Sequence, residues 1–362
     1  MVLCPSSDEC SESRRARSGK PRRSGHNSGD SSKHVESIKT DRNQATRINP
    51  SECKLLLLAL LPVGVLILGY FLFDIVGASF AEYVTQLISK SANLVATESA
   101  LSAALLWGSA SLIYLVVGIA SIGYVFLFLG KNVKGKALFP FLGIASFLVV
   151  IGIFHLIWVD EGRRPLSMIF YMTFESLRSS DLLPPNLVGS TKGVLDLINV
   201  LSVVIPALFC AFMPSVMIAP RGGWTENALT SRIESGRRLC ACASVFLVVG
   251  IFHMFAWMRW SCAVLGHSSL DQLVSGIVFF WGIVFSAMIA ILYLCIMSIL
   301  DQRCELIDAC RESSSASGPR LLSEMNIVFN GLTQVKQVMI VFGPFISAFA
   351  VSTTAPLIEA SI

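Results

Sequence analysis

Apolar residues gather into six long stretches, at about 55–73, 102–129, 137–159, 194–219, 239–258 and 273–300. A helix crosses a hydrocarbon core of ~30 Å in about 20 residues, so each stretch can span a membrane. Apolar positions run all round each helix rather than along one stripe, as in helices immersed in lipid. The pattern predicts an all-α, polytopic membrane bundle of six transmembrane helices. Residues 1–53 carry no such run and are rich in Ser, Arg, Lys, Asn and Gly, which predicts a disordered tail. Segments 79–95 and 167–180 mix aromatic and charged residues and predict short helices at the outer surface, the second ended by Pro184 and Pro185.

Helical character continues past the sixth span from Leu300 to Glu312, and the Ser-rich run Ser313 to Pro319 breaks it. Beyond the break, Leu321, Met325, Val328, Leu332, Val335, Met339 and Phe342 recur at alternating spacings of 4 and 3, a heptad seam. That seam predicts a helix that folds back on the sixth-span extension, or one that captures a partner protein or a second copy of the chain. Residues 338–356 are also apolar, but Gly343, Pro344, Ser352-Thr353-Thr354 and Pro356 favour a juxtamembrane or re-entrant segment over a seventh crossing. The expected organisation is a basic tail (1–53), a six-span domain (54–300) and a cytosolic helical pair with an apolar end (301–362).

Composition excludes an ordinary soluble fold. Of the 362 residues, 54% are hydrophobic and 14% charged, against roughly 25% charged in soluble domains. Mean hydropathy is +0.67. The net charge of +4 is concentrated in the tail, where Arg14 to Arg23 holds six basic residues and no acid. Such a run attracts anionic lipid; a nucleic-acid partner is not favoured.

Lys and Arg also set the expected orientation. Lys54, then Lys131, Lys134 and Lys136, then Arg221, Arg232, Arg237 and Arg238 mark alternate loops as cytosolic. This puts the N-terminus in the cytosol of a cell or internal membrane. Trp158, Trp257 and Trp260 then fall where an aromatic belt is expected, with Arg259 as a snorkelling anchor. No Cys-x-x-Cys pair is present, and Cys262 alone falls in an outer loop, so no external disulfide is expected.

An internal repeat adds a second layer. Residues 145–156 and 243–254 align without a gap and share seven of twelve positions, including Gly152-Ile153-Phe154-His155 against Gly250-Ile251-Phe252-His253. Leu195-Asp196 and Leu270-Asp271 then open the following spans in the same way. The repeat predicts two parallel copies of one helical hairpin, about 137–219 and 239–300.

The repeat puts His155, His253, Asp196 and Asp271 at similar depth. Ionisable side chains in a bilayer are costly and usually face the bundle interior. This set suits a proton relay or a divalent metal, whereas haem is disfavoured because the chain has five His. The structural alternative is that each Asp supports its own helix N-terminus, Ser268 to Asp271 forming a capping box. On the fourth span Asp196, Asn199, Val203, Pro206, Cys210, Met213 and Met217 share a stripe that either lines a path or packs helices. No phosphate loop, nucleophile elbow or zinc-protease motif occurs, so an enzyme and a resident cofactor are not expected. The leading expectation is passage of a small solute, proton or ion through the bundle. The rival is a membrane sensor or assembly subunit acting through the heptad helix.

Overall fold

The computed structural model describes residues 54–90, 98–133, 135–158, 165–179, 185–220, 223–266, 268–312 and 331–359. Among these, eight α-helices carry the fold: α1 (Leu60–Lys90), α2 (Glu98–Asn132), α3 (Leu138–Trp158), α4 (Pro165–Ser179), α5 (Pro185–Phe212), α6 (Glu226–Leu265), α7 (Ser268–Glu312) and α8 (Gly331–Glu359). All but α4 are long and apolar enough to cross a membrane. The chain is an all-α, multi-pass membrane bundle, with its lipid-facing residues outward and a packed interior.

Helix α6 is central. It packs against α2, α7, α8 and α4, while α3 pairs with α5, and α1 rests on α4 and α7. Accordingly 56% of the apolar window of α6 is buried, against 17% for α3 and for α8. Local signals explain the ends of α6. Thr225 is extended and accepts from the Ala228 amide at 3.3 Å, an N-cap. Gly266 closes the other end at φ 65°, a left-handed conformation that costs glycine least. Two residues later α7 begins, so the two longest helices form a tight antiparallel pair.

Close approach between helices rests on glycine. A Cβ on Gly282 of α7 would lie 2.5 Å from the Ala348 Cβ and 3.2 Å from the Pro344 carbonyl of α8. A Cβ on Gly152 of α3 would overlap Val203 Cγ1 of α5. Val203 is thus a packing residue, and Pro206, Cys210, Met213 and Met217 below it are buried. The stripe on this span packs helices along most of its length. The proline repeated at position 214 ends α5, and Met213–Val216 tightens into a 3-10 turn.

Several expectations need correction. The segment 338–356 is not re-entrant: α8 is one helix through Pro344. The proline leaves a turn of the backbone ladder unmade, but the Phe345 amide donates to Ser286 Oγ of α7 at 2.9 Å. Trp257 and Trp260 form no belt; they are 0% and 5% exposed, inside the bundle. Rather than snorkelling, Arg259 donates to Asp271 Oδ1 at 2.6 Å across the α6–α7 turn. The first predicted outer helix is the continuation of α1, whereas the second is α4, and Pro185 opens α5 instead of closing α4. Arg232, expected in a cytosolic loop, is 7% exposed. It donates to the Ser215 carbonyl (3.1 Å) and the Asn132 carbonyl (3.2 Å), satisfying the C-terminal ends of the 3-10 turn and of α2 at once. The sixth-span extension does run helically to Glu312. The tail 1–53, the break at 313–319 and Leu321, Met325 and Val328 lie outside the described residues.

Candidate functional site

The end of the bundle that carries α4 and the α6–α7 turn is the outer end under the charge rule. Beneath it lies a core dense in aromatic and polar groups. One wall comes from α2, where Trp107, Ser111 and Tyr114 follow helical spacing on a single stripe. Facing it on α6 are His253 and, one turn outward, Trp257, followed by Trp260. The Trp107 indole donates to His253 Nε2 at 3.1 Å. That bond leaves Nδ1 as the proton-bearing nitrogen of the neutral ring. The Tyr114 ring stacks 5.4 Å from the same imidazole, and Trp107 packs 5.2 Å from Trp257 and 5.3 Å from Trp260. Thr173 of α4 caps this lobe by donating to the Trp257 carbonyl at 3.0 Å.

The second lobe is built by α1, α3 and α7. Tyr70 of α1 stands edge-on to His155 of α3 at 5.8 Å and to Trp281 of α7 at 4.9 Å. Phe73 joins Trp281 and Phe280 at 5.7 and 5.5 Å. One turn beyond Tyr70 comes Asp74.

The two histidines are therefore set comparably, one in each lobe. Each imidazole meets a tyrosine from one of the first two spans, His155 with Tyr70 and His253 with Tyr114. Their glycines differ, since Gly152 sits on Val203 of α5 and Gly250 beside Tyr114 of α2. Carboxylates do not join this core as expected. Asp271 is held by Arg259, Asp196 is exposed and Asn199 is half-buried, its carbonyl accepting from Ser202 at 2.7 Å. No group of three or more His, Cys, Asp or Glu among the described residues is placed to hold a metal ion.

What distinguishes this region is unmet hydrogen bonding. Asp74 Oδ1, Ser111 Oγ, Trp257 Nε1 and Trp281 Nε1 are buried side-chain atoms without a partner among the described residues. The only other such atom recorded there is Asn132 Nδ2, at the inner end. Buried polar groups in folded proteins are nearly always bonded to protein or ordered water. In a bilayer the cost of leaving them bare is several kcal/mol each on hydrocarbon scales. Two of these atoms, Ser111 Oγ and Trp257 Nε1, belong to the first lobe and two, Asp74 Oδ1 and Trp281 Nε1, to the helices of the second.

Of the seam residues, Val335, Met339 and Phe342 are 64%, 55% and 48% exposed on α8, and Leu332 lies in its first turn. The face of α8 turned toward α6 and α7 carries instead Gln337, Pro344 and Ala348. Gln337 is fully satisfied in the amide orientation that accepts from Arg237 (2.7 and 3.1 Å) and donates to Tyr293 Oη (2.6 Å); Tyr293 donating to Gln337 would leave the amide nitrogen facing a cation. Comparison of the chain with known protein families, with characterised proteins and with solved structures finds no match.

Sequence reasoning located both histidines but missed Trp107, Tyr114, Tyr70 and Asp74. Trp107, Ser111 and Tyr114 at spacings of 4 and 3 were a readable signal, a stripe of hydrogen-bonding side chains along one face of the span.

Proposed function

We propose that the polar–aromatic core receives a small polar solute or a proton from the outer face, and that the bundle passes it across the membrane. The observation carrying this reading is the set of unpartnered buried polar atoms around two histidine–tyrosine pairs. Imidazole and phenol both accept and donate, so with interleaved water they form a continuous relay at a depth where nothing else in the bilayer conducts protons. His253 enters it through a ring already oriented by its bond from Trp107.

The test is an imposed pH gradient across proteoliposomes, read with an entrapped pH dye. His253→Gln and His155→Gln are each expected to lower the proton flux at least tenfold, with insertion unchanged. Asp196→Asn is expected to leave it intact, because that carboxylate stands apart from the core. Wild-type flux in both histidine variants would remove the reading for protons, and the same variants assayed for osmotic swelling in small polyols decide the solute version.

A second reading, an assembly subunit, is favoured by one observation. Val335, Val338, Met339, Phe342, Ile346 and Phe349 form a continuous exposed apolar stripe along α8. On this reading the stripe pairs with a second copy. Cysteines placed at Val335 and Phe342 should then crosslink between copies in native membranes, and Leu332→Asp should abolish the crosslink. Monomer alone at every reagent concentration would dismiss it.

A further inference from the structure

We propose that the inner end of the bundle is a door held shut by Arg232, and that release of its guanidinium from two chain ends opens the passage on that side. The proposal rests on the preceding reading that something crosses the bundle, and it names the device that closes the inner half of the route.

The layer to be opened is built where α2, α5 and α6 end or begin. Inward of the His253 core, Phe209, Phe212, Met213, Val216 and Met217, from the end of α5 and the 3-10 turn after it, are at most 1% exposed. They form one apolar cluster with Leu129 of α2 and Leu229 of α6. Gly236 lets this plug seat closely: a Cβ there would lie 2.7 Å from Ile296 Cγ2 of α7 and 3.6 Å from Val216 Cγ1. A second 3-10 turn, Lys54–Ala59 at the head of α1, packs against the same segment. Whatever occupies the outer core thus meets an apolar seal before the inner surface.

Arg232 ties that seal across elements. Roughly 30 Å of α6 separates it from His253. Its guanidinium, on a side chain buried in the bundle, holds the Ser215 carbonyl at 3.1 Å and the Asn132 carbonyl at 3.2 Å. One planar fork therefore joins α6, the end of α2 and the turn that ends α5. Both carbonyls close helical segments, where the backbone dipoles leave partial negative charge for a cation to meet. Arginine stays charged, so titration does not release this contact; only movement does.

The partners make that movement cheap. They are backbone carbonyls at chain ends next to exposed or half-buried residues, Lys131 on one side and Ile218 to Pro220 on the other. When the ends part, water takes over each hydrogen bond at small net cost. The turn is also the weak point of its span. Pro206 and Pro214 each remove a backbone donor, and the 3-10 geometry of Met213–Val216 is poorer than that of the helix before it. The segment that Arg232 grips is the one best able to swing.

Thiol accessibility on the full chain in nanodiscs reads the door without any transported species. Met217→Cys places a thiol in the seal, and native Cys262, buried near the Gly266 turn, is the internal control. With Arg232 intact, a charged maleimide should modify position 217 slowly. Adding Arg232→Gln should speed that reaction at least tenfold and leave Cys262 unchanged, each site being read by peptide mass mapping. Equal rates at position 217 would overturn the proposal. So would parallel acceleration at Cys262, which marks general loosening. A second variant leaves Arg232 in place. Asn132→Cys and Ser215→Cys, which keep both carbonyls, are joined by a cleavable bis-maleimide. The bridge should lower flux in the liposome assay at least tenfold, and cleaving it should restore the flux. Flux through a completely bridged protein would overturn the door and leave transport standing. Opening in Arg232→Gln, with no flux in the unmodified chain, would retire the transport reading alone.

Discussion

At the scale of single residues, the bundle is governed by where side chains are missing as much as by where they are present. Gly152 lets α3 settle on Val203, and a Cβ there has no room. Gly152→Ala should therefore cost about 1–3 kcal/mol of stability, the usual range for overpacking. Val203→Ala in the same chain should recover most of it, since the clash is with that one side chain. Thermal melts of the single and double variants in detergent measure both. The histidines of the repeat were legible as residues, because Gly-Ile-Phe-His occurs twice in otherwise aliphatic helices. Their partners were not, since the Trp107–His253 bond joins positions 146 residues apart. Asp74 was hidden for a different reason: the apolar run weakens at residue 73, whereas the helix continues to Lys90. Hydropathy alone placed this carboxylate in a loop.

At the scale of elements, α8 shows what pattern reading cannot reach. Gly343 and Pro344 are breakers by local rule, yet the missing hydrogen bonding is met by another helix. Ser286 Oγ accepts the Phe345 amide, and Gly282 gives the proline turn space to approach. Ser286→Ala should then destabilise the protein by about 1 kcal/mol, the net worth of one such bond. In a Pro344→Ala background the loss should shrink, because the restored ladder takes up the amide. A double-mutant cycle of unfolding free energies reads the coupling, and strict additivity would show that Ser286 does not serve the proline. The other spans were legible in number and order from their apolar runs, with ends displaced outward wherever polar turns continued the helix. Rotation about each axis was not legible: Trp257 and Trp260 sit at a depth suited to a belt, but the face of α6 that bears them points inward.

At the scale of the whole molecule, the count of crossings decides where the chain ends. Seven helices suffice in length and composition, and an odd number of crossings puts the two ends of the bundle's chain on opposite sides. On the expectation of a cytosolic N-terminus from the charge rule, an epitope after residue 359 should be reached by antibody on intact cells. One before residue 54 should require permeabilisation. Both epitopes on one side would mean that one of the seven helices does not cross. The later members of the heptad seam, Val335, Met339 and Phe342, lie on α8, one of the seven helices long and apolar enough to cross.

The length of α6 and α7 has a mechanical corollary. At 40 and 45 residues they measure roughly 60 and 68 Å, twice the ~30 Å of hydrocarbon. Neither contains a proline to soften it. Bound together at the Gly266 hairpin, they act as a pair of stiff levers whose short arms bear His253, Trp257 and Trp281. A tilt of about 5° about that hairpin moves the far end of a rod of roughly 60 Å by roughly 5 Å. Whatever grips the far ends of these rods thus holds a handle on the buried imidazole and indoles beside the Gly266 turn.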